Sequence, residues 1–335
     1  MGMRSLSRRE FLILAGGLAV VTTFPLPGQA VGGLLDRFLA RHGKVTPPIT
    51  PNNEFYVTSY RSPPTVRADS WELSIKGLVD KPMRLTYAQL LARPRVSEIV
   101  TLECVGNSVA GDAISTAEWQ GLSLKSLLDE AGLATEAYDV VFRAADGYSD
   151  SIRVERAMAG DVLVAHTMNR VPLPLGHGFP ARIIVPGIYG MKSVQWLTEI
   201  EVVEEDYKGY YQQKGWTDDA TVKTMSRIDL PGQGDTVRGG EYTIRGLAFA
   251  GTRGVRLVEI SMDEGRTWQP ATLEPELSPF AWRFWHYRWM IPSRGRYTLL
   301  VRATDGNGKP QSSVEQEPAP DGAAGLHEVT VTVKT

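Results

Sequence analysis

A single cysteine, Cys104, stands among 335 residues, and that count removes whole classes of fold. No internal disulfide can brace the chain and no multi-cysteine cluster can be held, so the fold must rest on buried apolar surface. A 42% share of hydrophobic residues is enough to build such a core. Two readings fit the thiol itself. It is a small buried hydrophobe, or it is a thiolate whose lone pair is spent on a soft transition metal.

The first thirty residues read as an address. Ser7-Arg8-Arg9-Glu10-Phe11-Leu12 precedes an apolar stretch over 13–24 and a small-residue site, Gly28-Gln29-Ala30. That is the order of an export signal, too short to span a bilayer. The paired arginines match the twin-arginine pathway, which exports proteins already folded; a general secretory signal or an amino-terminal anchor is the alternative. Residues 31–46 then form a linker. Removing 1–30, with three arginines and one glutamate, takes the formal charge from -2 to -4. No basic patch for nucleic acid is left. Nor is there a Cys-x-x-Cys-His run for attached haem.

Beyond the linker the texture changes once. Alternation predicts strands over 71–75, 99–104, 140–144, 162–166, 182–185 and 197–203, interleaved with short helices. One helix is expected over 85–91 with Thr86 near its start. Another is capped by Ser123, with Leu124, Leu127, Leu128 and Ala131 on one face and Gly132 at its end. This is an α+β domain over 47–226. Residues 227–335 carry short alternating strands (242–246, 255–262, 297–303, 329–333) between Gly, Pro and Asp turns. That is the pattern of an all-β, immunoglobulin-like sandwich. The run Trp282-Arg283-Phe284-Trp285-His286-Tyr287-Arg288-Trp289 is too aromatic for a strand with one wet face. Trp285, Tyr287 and Trp289 fall on one side, while Trp282 and Phe284 on the other need cover. A second copy of the chain is the expected cover; a loop or the first domain is the other candidate.

Several stretches together resemble the sulfite oxidase family. They are the run from Thr50-Pro51-Asn52 to Cys104-Val105-Gly106-Asn107, then Trp119-Gln120-Gly121, His177-Gly178-Phe179-Pro180-Ala181-Arg182, Val185-Pro186-Gly187 and Asp206-Tyr207-Lys208-Gly209. Ser261-Met262-Asp263-Glu264-Gly265-Arg266-Thr267-Trp268 is similar to that family's carboxyl-terminal dimerisation domain. The resemblance covers nearly all of the chain after the signal, in order and at suitable spacing. It implies molybdenum carried by one molybdopterin, with Cys104 as the protein's metal ligand. His177, Arg182, Ser193, Val194 and Gln195 match positions that hold the pterin and its phosphate. Tyr56, Val57, Thr58, Ser59 and Tyr60 match a loop that wraps the cofactor, with Asn53 beside it and Asp146 further along. Tyr207 matches the active-site tyrosine, a hydrogen-bond or proton donor at the reacting oxygen. Read without the resemblance, Arg182 is equally a surface cation, His177 a turn residue and Tyr207 a structural tyrosine.

The departures bear on the substrate. Thr58 and Val109 stand where animal-type sulfite oxidases carry arginines that bind a small dianion, and Gln195 stands in place of a lysine. Arg61, Lys192 or a cation of the second domain could substitute. Three readings follow: oxidation of sulfite or a related small sulfur compound by oxygen-atom transfer; reduction of an S-oxide or N-oxide; or a non-catalytic binding protein that keeps the fold. The first needs a small oxyanion or oxide substrate and an external electron partner, a cytochrome or membrane haem subunit. It places the protein in the periplasm or an equivalent extracytoplasmic space, as a homodimer.

Overall fold

The computed structural model describes residues 45–334, which fall in one compact unit. The export signal over 1–30 and the linker up to residue 44 lie outside the described residues. The first strand, β1 (Glu72–Gly77), alternates buried Leu73 and Ile75 with outward residues. Its entry is fixed by Trp71, whose Nε1 donates to the Leu197 carbonyl at 2.9 Å. Strand β2 (Met83–Thr86) folds back on β1, and Thr86 then caps α1 (Tyr87–Ala92) through a capping box with Gln89. The helix expected from 85 therefore starts at Tyr87, because Leu85 and Thr86 are first used in pairing with β1.

Strands β3 (Val96–Glu103) and β4 (Ile114–Ser123) pair antiparallel, from Val96 opposite Gly121 to Glu103 opposite Ile114. Ser123 caps α2 (Leu124–Ala131), which buries Leu124, Leu127, Leu128 and Ala131 and stops at Gly132, as its spacing predicts. The chain continues through β5 (Asp139–Ala144), β6 (Ser149–Arg153), α3 (Val154–Ala157), β7 (Leu163–Met168), β8 (Val171–Pro172), β9 (Arg182–Ile184) and β10 (Leu197–Val203). Two sheets result. One has the order β2-β1-β10-β5-β6; the other runs β3-β4-β7-β8, with β9 also paired to β7. Helices are few, and several of the expected short ones are single 3₁₀ turns such as Leu175–His177 and Gly190–Lys192.

The second domain is a two-layer β-sandwich. Its strands are β11 (Met225–Leu230), β12 (Thr236–Arg238), β13 (Gly240–Phe249), β14 (Val255–Ser261), β15 (Gln269–Pro270), β16 (Thr272–Leu273), β17 (Arg283–Ile291), β18 (Gly295–Asp305) and β19 (His327–Lys334). One sheet orders β11-β13-β17-β16, the other β12-β19-β18-β14-β15. The boundary expected between 226 and 227 falls inside β11, so the sandwich begins no later than Met225.

The aromatic run lies in β17 and the residue before it, and its two sides behave differently. Trp285, Tyr287 and Trp289 pack in the sandwich core. Trp282 and Phe284 pack instead against Val105, Ile114, Tyr189 and Met191 of the first domain. The face expected to be covered by a second copy is thus covered within the chain. The cover over Trp282 and Phe284 is therefore no argument for dimerisation.

Candidate functional site

Cys104 follows directly on β3, and its amide donates to the Ala113 carbonyl at 2.9 Å, where β4 is about to begin. The loop between them is clamped by Asn107. Its Nδ2 donates to Glu103 Oε1 at 2.9 Å and its Oδ1 accepts from the Ala113 amide at 3.0 Å. The thiol is half-buried. Burial pushes it up and the Glu103 carboxyl adds to this, against hydrogen bonds from the Gly106 amide and the Thr58 hydroxyl. Without a metal the sulfur keeps its proton, and coordination must release it. Glu103 is itself raised to about 7 by burial, and its Oε2 has no partner.

A second cluster is built on the start of β9. Arg182 is buried, with Nη1 donating to the His177 carbonyl and Nη2 to the Ser193 carbonyl, each at 3.0 Å. Its guanidinium lies 5.0 Å from the Trp119 ring. It forms no ion pair among the described residues, its Nε has no partner, and burial lowers it to about 10. A buried cation with no counter-charge is costly, so this one is placed for an anion. His177 donates from Nε2 to the Asn52 carbonyl at 2.7 Å, leaving Nδ1 buried and unpartnered. Burial and Arg182 both hold its pKa down. Gln195 Oε1 is buried without a partner as well. Gly178, at φ 104°, lets these residues close up: a Cβ there would sit 3.1 Å from Arg182 Cβ and 3.2 Å from Gln195 Cα.

Tyr56 joins the two clusters. Its hydroxyl is pushed well above the usual range, by burial first and then by Cys104 and Glu103, with Arg182 opposing. Its amide donates to Ser115 Oγ at 3.2 Å. Phe55 stacks on Tyr56 with centroids 5.4 Å apart and meets Trp119 and His177 edge-on. Asn53, Val57, Thr58 and Ser59 are all exposed, and Thr58 is the one that draws the thiol pKa down. Tyr60 belongs to a group of four tyrosines with Tyr148, Tyr210 and Tyr211. Asp146 Oδ1 accepts from the Tyr148 amide at 3.0 Å. Ser193 Oγ accepts from the Val185 amide at 3.1 Å, and Val194 is buried in the hydrophobic core. Of the 193–195 stretch, Gln195 has the side chain with an unmet polar atom.

Tyr207 lies at the β5–β6 edge. Its hydroxyl pairs with Ser149 Oγ at 2.7 Å and accepts from Arg143 Nη1 at 3.5 Å. Tyr211, four residues on, is raised by burial first and then by its proximity to Cys104. Asn52, whose carbonyl fixes His177, carries no mark of that role in the sequence, since any residue can offer a backbone acceptor. The tyrosine pair at 210–211 was the available signal for Tyr211. Nothing local marked Glu103.

The residues fit the expected cofactor. No group of three or more His, Cys, Asp or Glu that could hold a metal occurs among the described residues. A metal held by Cys104 would have it as its lone donor from such a group, with further donors supplied by a carrier. An uncompensated guanidinium with unmet polar atoms at Arg182 Nε, His177 Nδ1 and Gln195 Oε1 suits the carrier's pterin and phosphate.

Fold and site together define a molybdopterin-binding protein. Residues 60–211 match the family described as "Oxidoreductase molybdopterin binding domain" and residues 216–316 that described as "Mo-co oxidoreductase dimerisation domain". The chain is 35% identical over 306 residues to human mitochondrial sulfite oxidase, covering 77% of this chain and 56% of that one. It is 32% identical over 341 residues to sulfite oxidase of Gallus gallus, covering 87% and 72%. The crystal structure of the sulfane dehydrogenase SoxCD from Paracoccus pantotrophus shares the fold, with a TM-score of 0.76 at 21% identity over 96% of this chain and 98% of that one. The chain belongs to the sulfite oxidase family. It spans little more than half the length of the mitochondrial relatives it matches.

Proposed function

We propose that this protein is a molybdenum-dependent oxidoreductase that oxidises sulfite or a related small sulfur compound by oxygen-atom transfer. The observation that carries the reading is the pair of clusters joined by Tyr56. A hydrogen-bonded thiol stands at one end and a buried, uncompensated Arg182 at the other. Bound there, molybdopterin-held molybdenum supplies the two-electron chemistry. Cys104 would ligate the metal; Arg182, His177 and Gln195 would hold the pterin and its phosphate. Phe55 and Trp119 shield that end from water. Tyr207 keeps its proposed role as the hydroxyl that serves the reacting oxygen.

The electrons leave through an external one-electron partner, a cytochrome or membrane haem subunit, since the chain has one cysteine and no haem-attachment run. The twin arginines, Arg8 and Arg9, support export to the periplasm or an equivalent space. The match to a dimerisation domain supports a homodimer, and the sandwich is of the immunoglobulin-like kind. A second reading, reduction of an S-oxide or N-oxide, is favoured by the uncharged Thr58 and Val109 beside the thiol loop.

Protein made with molybdenum cofactor available holds about one molybdenum per chain, and Cys104→Ser is inactive, because an alkoxide is a harder donor than a thiolate. Assay against sulfite with ferricyanide, and against sulfoxides with a reductant, separates the two readings. Full activity in Cys104→Ser would sink both.

A further inference from the structure

Of the candidates to replace the missing arginines, Lys192 is already neutralised, and so is Arg227, the second-domain cation that reaches the Gly111 carbonyl in the loop after Cys104. Lys192 is buried, and its Nζ is bound to Asp150 Oδ1 at 3.1 Å, Asp218 Oδ1 at 2.9 Å and the Ser151 carbonyl at 2.9 Å. Arg227, from the second domain, pairs with Asp229 Oδ1 at 2.8 Å and Asp112 Oδ1 at 3.2 Å. Arg61 differs. It donates from Nη2 to the Tyr60 hydroxyl at 3.1 Å and from Nη1 to the Asp146 carbonyl at 3.5 Å, and its Cζ lies 4.7 Å from the Tyr60 ring. It forms no ion pair with any described residue, so its charge is oriented without being cancelled.

We propose that Arg61 is the residue that binds the anionic substrate, a reading that rests on the sulfur-oxyanion assignment above. Arg61 is three positions from Thr58, the position where the resemblance expects a substrate-binding arginine. The Tyr60 ring that carries it lies 4.6 Å from Tyr210, which lies 5.3 Å from Tyr211, and Tyr211 packs against the cluster that holds Val105, the residue after Cys104. The guanidinium thus stands at one end of an aromatic row whose other end packs beside the Cys104 loop. It has five N–H donors, of which the two contacts above use a part. The remainder can take two oxygens of a tetrahedral or pyramidal oxyanion side by side. Stacking fixes the group in advance, so little side-chain freedom is lost on binding.

The test uses cofactor-loaded full-length protein and sulfate as an unreactive dianion, with affinity measured by calorimetry. Arg61→Gln should weaken sulfate about tenfold or more, and raise KM for sulfite by a similar factor with kcat within about twofold. Arg61→Lys should recover part of the loss. Lys214→Gln, which removes the cation 5.9 Å from the Tyr210 ring, should leave sulfate affinity within about twofold. Unchanged sulfate affinity in Arg61→Gln would overturn the proposal. So would loss of molybdopterin from that variant, which would make Arg61 a cofactor-holding residue. Sulfate binding that depends on Arg61 in an enzyme with no sulfite turnover would uphold Arg61 and overturn the sulfite reading alone.

Discussion

The indole of Trp282 donates from Nε1 to the Pro48 carbonyl at 3.2 Å, and the Trp282 amide donates to Thr101 Oγ1 at 2.8 Å. The aromatic run of the sandwich is thereby stitched to β3, the strand that delivers Cys104. Trp282→Ala removes a side chain only 1% exposed together with its hydrogen bond, and should cost about 3–5 kcal/mol. Denaturant unfolding followed at two wavelengths checks this. A cost under about 1 kcal/mol would mean that the domains barely depend on this contact.

Arg182→Met should strip the protein of cofactor while leaving the apoprotein's melting temperature within a few degrees of wild type. In the apoprotein, removing an uncompensated buried charge offsets the loss of a donor to the His177 and Ser193 carbonyls. Normal molybdopterin content in this variant would remove Arg182 from the phosphate cluster.

Tyr207→Phe should lower kcat about tenfold with cofactor content near wild type, because the proposed work of its hydroxyl is at the reacting oxygen. Tyr211→Phe is the companion variant. Should kcat fall only in the second, the role passes to Tyr211, which is raised by burial first and then by its proximity to Cys104.

His327 gives the fold an acid sensitivity whose sign is fixed. Its Nδ1 accepts from the Ile228 amide at 3.0 Å, and burial, helped by Arg227, lowers its pKa to about 4. An unfolded histidine titrates near 6.5, so between about 6.5 and 4 the unfolded chain binds the extra proton. Stability is full above about 6.5 and falls as the pH drops to about 4, by up to about 3 kcal/mol. His327→Gln should flatten that part of the profile. Identical slopes for the two proteins over this range would exclude His327 as the cause.

Arg8→Lys with Arg9→Lys should hold the protein in the cytoplasm although the formal charge is unchanged, since a receptor reads the arginine pair. Fractionation that finds the double variant exported normally would point to the general secretory route.

What could be read in advance follows from where each signal is stored. The α2 helix was legible because cap, apolar face and stop all lie within Ser123 to Gly132. Strand β4 was not, because Ser115, Thr116, Glu118 and Gln120 look polar. Its burial depends on distant partners, among them Thr101, which pairs with the Thr116 hydroxyl, and Thr50, which accepts from the Thr116 amide at 3.2 Å. At the site, the lone cysteine and the ordered motifs marked Cys104, His177 and Arg182. The fate of Lys192 was invisible: Asp150 and Asp218, which neutralise it, lie 42 and 26 residues away. The same holds for the cover over Trp282, which comes from the other domain.

Val109, in the loop after Cys104, meets the segment before β19: a Cβ on Gly325 would lie 3.4 Å from Val109 Cγ2 and 3.4 Å from Glu315 Cγ. One wall beside the thiol loop is therefore supplied by residues translated more than two hundred positions after it. While the ribosome is still working through the sandwich, the first domain presents Cys104 with that side open. On the proposed reading, full retention of the cofactor is expected only once residue 325 has emerged and this wall is in place. A chain cut short within the sandwich would carry every motif of the first domain but lack the Gly325 wall beside Val109, and is expected to retain cofactor poorly.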